Sequence, residues 1–588
     1  MNKQSEFTPT IKWNVLKKLV PYMMRYKGML LGALALVLTS SGLALTGPKL
    51  SGSAIRIIES GKGNVNLNKV LYYCILMAIF YVVSALLSYC LSILMIRLSK
   101  KIAHTMRDEV FTHLLSLPIG YFDTNQTGDI ISRLSYDIDT LNASLSSDLL
   151  QIITSAITIS GSFVMMCIIA PPLIAIFIVT VPISIWFIKY RSQKVRPLFR
   201  KRSAKLGELN GYAEEMLSGQ KTIKAYNREE VIIGRFNEKN DEAVESFFNA
   251  EYQGSVIGPS VNFINNLSMS LVSMFGAILY IFGGMTLAGI SEFILYSRRF
   301  SGHIGEIANI IADLQSATSA AERIFRIIDE APEKADSPDA VTVDNVTGNV
   351  EFKNVTFGYD AEKTVIHDFS LKVRAGSTVA IVGPTGAGKT TIVNLLMRFY
   401  DVQGGDITLD GNSIYGITRD SLRRSFTMVL QDTWLFNGTI RDNIAFGNES
   451  ATDEQIVSAA KTAGIHSYIE SLKDGYGTVL SDDGVNISKG QKQLLTISRA
   501  LLSDAPILIL DEATSNVDSR TEQMIQKAML SLMNGRTSFV IAHRLSTIQN
   551  ADVILVVRDG RIVESGSHEE LLSKNGVYYS LYNSQFEA

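Results

Sequence analysis

The densest chemical signal in the chain is the run Gly383-Pro384-Thr385-Gly386-Ala387-Gly388-Lys389-Thr390, with Thr391 next in line. Glycines at this spacing let backbone N–H groups close around phosphate oxygens. Lys389 brings a positive charge to β- and γ-phosphates, and Thr390 offers a hydroxyl to Mg²⁺. A second signal is ILILDEATS, in which four apolar residues precede Asp511 and Glu512. A buried strand delivers acids at its carboxyl end, so Asp511 would hold Mg²⁺ and Glu512 would polarise an attacking water. A strand ending in a solvated acidic turn would explain this second motif alone. It does not also explain the phosphate loop at the expected separation.

These residues need a scaffold, and the flanking sequence supplies one. NVEFKNVTFGYD alternates with period two, STVAIV reads as an apolar strand, and TIVNLLMRFY after the loop reads as a helix. Strand, phosphate loop and helix therefore follow in the required order. Ahead of them PEKADSPDAVTVDNVTG is polar and Pro-containing, as a linker is. We expect a linker at 326–346 and a nucleotide domain over 347–588.

The preceding half is different in kind. The whole chain has 588 residues, 55 Lys+Arg against 57 Asp+Glu, a net charge of −2 and 46% hydrophobic residues. This excludes a disordered chain, a collagen and a nucleic-acid binder relying on bulk positive charge. Mean hydropathy is nevertheless +0.17, which requires long apolar blocks. They fall near 28–55, 70–96, 147–170, 172–188, 257–283 and 287–311, most of them matching the roughly 20 residues that a bilayer core demands. The sixth is the least apolar. Residues 1–27 lack the short apolar core of a removable signal, and their Trp, Tyr, Leu, Lys and Arg suit a helix at the membrane interface. Arg191, Lys194, Arg196, Arg200, Lys201, Arg202 and Lys205 crowd one of two long connections, which puts both long loops and both chain ends in the cytoplasm. Cys74, Cys90 and Cys167 lie in apolar runs without C-x-x-C spacing, so they read as small buried hydrophobes, not disulfide or zinc ligands.

The phosphate loop, Gln431, NISKGQKQLLTISRALL, ILILDEATSNVD and IAHRLST together resemble, in order and spacing, the ATPase domain of ABC transporters. GYFDTNQTGDIISRLSYDID, GYAEEMLSGQKTIKAYNRE and AAERIFRIID resemble the six-span core of the ABC exporters. The resemblance implies a membrane domain of six long transmembrane helices over 28–325, then an α/β P-loop ATPase with a β-rich and a helical subdomain. It implies ATP and Mg²⁺ as cofactors and a bacterial cytoplasmic membrane as the location. Position by position, Tyr359 is the counterpart of the aromatic that stacks on adenine. Gln431 corresponds to the residue joining Mg²⁺ and water to the membrane domain, and His543 to the γ-phosphate contact. Ser488, Gly490 and Gln491 correspond to a signature loop that closes on ATP held by an opposite subunit, where a helix N-terminus favours phosphate charge. One ATPase domain and six spans thus imply half of a dimeric transporter.

Two departures bear on the partner. The usual Leu-Ser-Gly-Gly-Gln is Ile487-Ser488-Lys489-Gly490-Gln491, and the usual Ser-Ala-Leu-Asp is Ser515-Asn516-Val517-Asp518. Lys489 either points to solvent or marks a signature serving a partner's weak site. Glu512 with a drifted signature, SRRF at 297–300 and SNVD resemble one subunit type of bacterial heterodimeric multidrug exporters, so a heterodimer is expected over a homodimer. Thr127 to Arg133 and Tyr212 to Gly219 are candidate coupling loops, the first expected to reach the partner's ATPase domain.

Arg298, Arg299, His303 and Glu306 fall within the last span. Arg299 with His303, and His303 with Glu306, share a helical face. That face either lines a path for anionic or amphipathic cargo or forms an inter-helix polar network. The leading functional reading is ATP-driven export of amphipathic or hydrophobic small molecules of the multidrug type. A lipid or lipid-precursor flippase is the alternative, and an ATP-gated channel or regulatory membrane ATPase is a third reading from another class. The set Gln431, Asp511, Glu512 and His543 argues against the third, since a nucleotide switch has no need of a general base.

Overall fold

The computed structural model describes residues 13–59, 61, 65–360, 363–431, 433–480, 487–511, 518–541 and 548–586. They form two compact units, Met1–Leu115 with Thr127–Glu330, and Ser116–Gln126 with Ala331–Ala588.

The first unit is helical: α1 Trp13–Met24, α2 Lys27–Ile58 and α3 Leu67–Ser116. After α4, Ile119–Thr124, which belongs to the second unit, come α5 Thr127–Ser132, α6 Ile138–Ala143 and α7 Leu149–Ile169, joined by π-helical turns. Then follow α8 Pro171–Ser218, α9 Gln220–Ala225, α10 Glu229–Ser255, α11 Ile257–Ile281 and α12 Leu287–Ile328. Among the described residues five helical runs are long and apolar enough to cross a membrane: Lys27–Ile58, Leu67–Ser116, Thr127–Ile169, Pro171–Ser218 and Glu229–Ile281. The sixth apolar block lies in α12, which packs on α2, α7 and α11.

Local sequence explains the breaks. Pro171 and Pro172 open α8, where a first-turn residue needs no N–H. Thr286 caps α12 by accepting from the Gly289 N–H at 3.1 Å. Helix α3 runs for 50 residues and α8 for 48, about 70–75 Å each at the α-helical rise, so both extend well past a bilayer core. Near the N-terminus, Tyr22 donates to Glu109 at 2.8 Å, and Lys18 pairs with Asp329. Cys74 and Cys90 are exposed on α3 and Cys167 is half-buried, all three with free thiols. This corrects the reading of Cys74 and Cys90 as buried hydrophobes: an apolar helix in lipid turns such residues outward.

The second unit holds strands β1 Val350–Phe357, β2 Ile366–Val373, β3 Thr378–Val382, β4 Gly404–Leu409, β5 Asn412–Ser413, β6 Phe426–Val429, β7 Gly438–Thr439, β8 Val479–Leu480, β9 Ile507–Asp511, β10 Thr537–Ile541, β11 Val553–Arg558 and β12 Arg561–Gly566. One sheet is antiparallel, β2-β1-β4-β5; the other runs β12-β11-β3-β10-β9-β6, parallel except at β12. In β9, Ile507 and Ile509 enter one core, shared with the antiparallel sheet, while Leu508 and Leu510 enter the other, shared with the helices around Ile440–Ala445 and Lys489–Ser503. Successive strand residues point to opposite faces, and both faces are covered, which is why the run is apolar without alternation. Residues 331–346 have little regular structure but are clamped: Arg423 pairs with Glu333 at 2.5 Å, and Arg419 with Asp336 at 3.1 Å.

Candidate nucleotide site

Strand β3 ends in the phosphate loop, and helix α13, Lys389–Leu396, begins directly after it. The loop depends on glycine at two places. A Cβ on Gly383 would lie 2.1 Å from the Val557 carbonyl oxygen, and Gly388 has φ +99° with Ile366 Cδ1 2.8 Å from where its Cβ would be. Lys389 Nζ donates to the carbonyls of Gly383 at 2.8 Å and Pro384 at 3.0 Å, bending the ammonium back over its own loop. Burial holds its pKa below the ordinary lysine range, against the opposing pull of the Asp511 carboxylate. Thr385, Gly386 and Thr390 are exposed at the loop and helix start, whereas Ala387, Gly388 and Thr391 are buried.

Asp511 is the last residue of β9 and pairs with Ile541 of β10, so the structure brings Asp511 and Lys389 to one crevice at the carboxyl ends of parallel strands. Gln431 is exposed two residues beyond β6. Glu512 and His543 lie outside the described residues, as do Ser515, Asn516 and Val517. Among the described residues no group of three or more His, Cys, Asp and Glu could hold a metal by itself. A hydroxyl and a carboxylate beside a phosphate loop still fit Mg²⁺, which is bound through one or two protein oxygens together with substrate phosphates.

Tyr359 is 47% exposed, and its hydroxyl meets Thr391 Oγ1 at 3.1 Å. Its ring stands edge-on to Phe357 at 5.1 Å and to Tyr400 at 5.0 Å. Tyr400 donates to Asp123 of α4, and burial, followed by this bond, raises the phenol above its ordinary value. Sequence reasoning missed Tyr400 and Asp123; the only signal was an aromatic ending the helical run after the loop. The candidate coupling segment Thr127 to Arg133 begins in the first unit as α5, Thr127–Ser132, directly after α4, which belongs to the second unit.

Ser488 caps the helix Lys489–Ser503: its Oγ accepts from Gln491 N at 3.2 Å, and Gln491 Oε1 accepts from Ser488 N at 2.9 Å. Gly490 is buried and Lys489 is exposed. Among the described residues no hydrogen bond or ion pair joins Ser488, Gly490 or Gln491 to the phosphate loop.

In the first unit, Arg299 Nη1 donates to the Ala44 carbonyl at 2.6 Å. Pro48 lies inside α2 and has no N–H for that carbonyl, so Arg299 supplies the missing bond. Tyr296 donates to Leu45 O at 2.7 Å. His303 Nδ1 lies 3.0 Å from Glu306 Oε2 and 3.2 Å from Ser155 Oγ, and Gln151 donates to Glu306 at 3.3 Å. Arg298 is exposed. Glu292, which the sequence reading passed over, is buried 3.7 Å from Arg56. Arg299, His303 and Glu306 therefore enter inter-helix hydrogen bonds, one of the two arrangements open to them from sequence.

Residues 30–304 match the ABC transporter transmembrane region and residues 366–515 match the ABC transporter family. The uncharacterized ABC transporter ATP-binding protein YfiC of Bacillus subtilis is 42% identical over 97% of this chain and 94% of its own length. The chain belongs to the ABC transporter family. A fatty acid ABC transporter ATP-binding/permease protein of Mycobacterium tuberculosis is 45% identical over 81% of this chain and 75% of its own. An ATP-dependent lipid A-core flippase of Sodalis glossinidius is 35% identical over 98% of both. The structure of a bacterial Atm1-family ABC exporter with ATP bound matches with a TM-score of 0.79 and 29% identity, covering 95% of this chain and 98% of that one.

This ABC transporter is an exporter-type half-transporter, a multi-pass membrane region fused to one ATPase domain that couples ATP hydrolysis to transport. Half-transporters of this kind generally dimerise.

Proposed function

We propose that the chain exports amphipathic or hydrophobic small molecules across a bacterial cytoplasmic membrane as one half of a dimer, its ATPase domain and both termini in the cytoplasm. The observation that carries the reading is the phosphate loop, with Lys389 and Asp511 in one crevice, on a chain that also holds the apolar helices. In this reading the backbone of Gly383–Thr391 and Lys389 hold the phosphates, and Tyr359 stacks on the adenine. Thr390, Gln431 and Asp511 would hold Mg²⁺, which when bound neutralises phosphate charge. Glu512 orients and deprotonates the attacking water, and His543 contacts the γ-phosphate. Ser488, Gly490 and Gln491 serve the partner's nucleotide, with the capped helix start facing its γ-phosphate.

Glu512→Gln keeps the shape and removes the base, so ATP hydrolysis should fall about 100-fold or more while ATP binding persists. Near-normal turnover would overturn the assignment of Glu512. A lipid-flipping reading is supported by the printed names of two relatives, the fatty acid transporter and the lipid A-core flippase. Reconstituted vesicles carrying a fluorescent phospholipid or an amphipathic dye separate the two cargo classes. A heterodimer is supported by Lys489, exposed at the first position of the signature helix and so available to face a partner. The particle mass and ATPase rate of the chain alone, then co-expressed with a second half-transporter, test it: an active pure homodimer overturns it.

A further inference from the structure

Where α8 and α10 leave the apolar region, they enclose a cleft of about 320 Å³. Arg191, Lys194 and Lys201 line it from α8, and Ser246, Asn249 and Gln253 from α10. On each helix these residues recur at three- to four-residue steps or their sums, so each set is a single face.

The depth of the cleft follows from the sequence. No charged residue occurs from Pro171 to Ile188 on α8, nor from Tyr252 to Ser291 after α10. About 18 residues of helix span about 27 Å, close to a hydrocarbon core, which leaves Tyr190 and Arg191 at its edge. Arg191 Nη2 donates to Gln253 O at 3.1 Å and Gln253 Oε1 at 3.0 Å, so the two helices exit at the same level. Trp186 and Tyr190 stack at 5.7 Å with 10° between their planes, both exposed, as rings anchored among headgroups are.

The charge in the cleft is one-signed. Farther along α8, Arg202 pairs with Glu251 at 2.5 Å and Lys205 with Glu242 at 2.8 Å. Among the described residues Arg191, Lys194 and Lys201 have no carboxylate within ion-pair distance; Lys194 lies over the Tyr190 ring at 4.7 Å. Arg191 Nε is buried without an acceptor among those residues. Arg191, Lys194, Asn249 and Gln253 lie within about 6 Å of the hydrocarbon edge, at headgroup depth, and with the N–H that lacks an acceptor they form a receptor for a phosphate oxyanion; Lys201 and Ser246 continue the same cleft about 10–15 Å beyond the edge.

We propose that this cleft binds the phosphate headgroup of an anionic phospholipid from the leaflet at which α8 and α10 emerge. The site is separate from the nucleotide crevice and does not depend on which cargo is exported.

The full-length protein in nanodiscs of phosphatidylcholine with graded phosphatidylglycerol, followed by native mass spectrometry of retained lipid, tests this. Lys194→Gln/Lys201→Gln removes a charge-assisted hydrogen bond to the phosphate and a further cation of the cleft, so it should lower retained phosphatidylglycerol about 25-fold. Arg196→Gln/Arg200→Gln removes the same charge at the same mean depth from outside the cleft, loses only the general attraction to an anionic surface, and should lower retention by no more than a few-fold. Asn249→Glu, an exposed change that puts a carboxylate in the cleft, should lower binding as strongly as the lysine pair. Equal loss in both double variants, or none in Lys194→Gln/Lys201→Gln, would overturn the site. Displacement of the lipid by millimolar glycerol phosphate would overturn the lipid as its ligand, leaving a soluble phosphate site.

Discussion

Helices α3 and α12 belong to one unit and carry opposite kinds of sequence. The apolar window of α3 is only 6% buried, with Leu71, Ile75, Val82 and Leu86 turned outward. Helix α12 buries Ala288, Phe293, Tyr296 and Ser297 and keeps Glu292, Arg299, His303 and Glu306 along its length. The difference teaches what hydropathy measures: contact with lipid, not membership of a membrane bundle. A helix surrounded by others can hold charges because its neighbours supply the hydrogen bonds that lipid cannot. In the ATPase unit Lys389 and Asp511 stand instead at a loop and a strand end, facing one open crevice.

That contrast can be broken from the ATPase side first, with the largest effect. Lys389→Ala removes the cation from the phosphate loop and should lower ATP hydrolysis about 100-fold or more without unfolding the chain. A rate within a few-fold of wild type would mean that the crevice is not the phosphate site.

On the membrane side, Arg299→Ala leaves the Ala44 carbonyl without a donor and should destabilise the protein by about 1–3 kcal/mol, read by thermal denaturation in nanodiscs. The sharper test is Pro48→Ala/Arg299→Ala. Restoring the N–H at position 48 should make the arginine largely dispensable, a coupling that simple packing loss would not produce. Gly52→Ala probes a second contact between the same two helices, since its Cβ would fall 1.9 Å from Glu292 Oε1. It should cost about 1–3 kcal/mol, and less in a Glu292→Ala background.

Smaller effects sharpen the picture within the ATPase unit. Tyr400→Phe keeps the ring against Tyr359 but loses the bond to Asp123, so amide exchange over Ile119–Thr124 should accelerate by about ten-fold, the equivalent of roughly 1.4 kcal/mol. Unchanged exchange would show that ring packing alone holds α4. Lys489→Gly, at an exposed helix start, should change stability by no more than about 0.5 kcal/mol.

Local pattern determined much of this protein. The phosphate loop was legible because its glycines, lysine and threonine are adjacent in the chain, and ILILD because a strand covered on both faces must be apolar throughout. The outward-facing helices were legible because lipid contact demands unbroken apolar sequence. Tertiary structure decided the rest. Nothing in the spacing of Pro48 and Arg299 says that one completes the hydrogen bond the other denies, because 251 residues separate them and only the packing of α12 on α2 joins them. Tyr400 and Asp123 met in the same way, and so did the cations of α8 with the polar face of α10. Residues near in sequence are constrained by local geometry, whereas the partners of a buried charge are set by which helices the fold brings together.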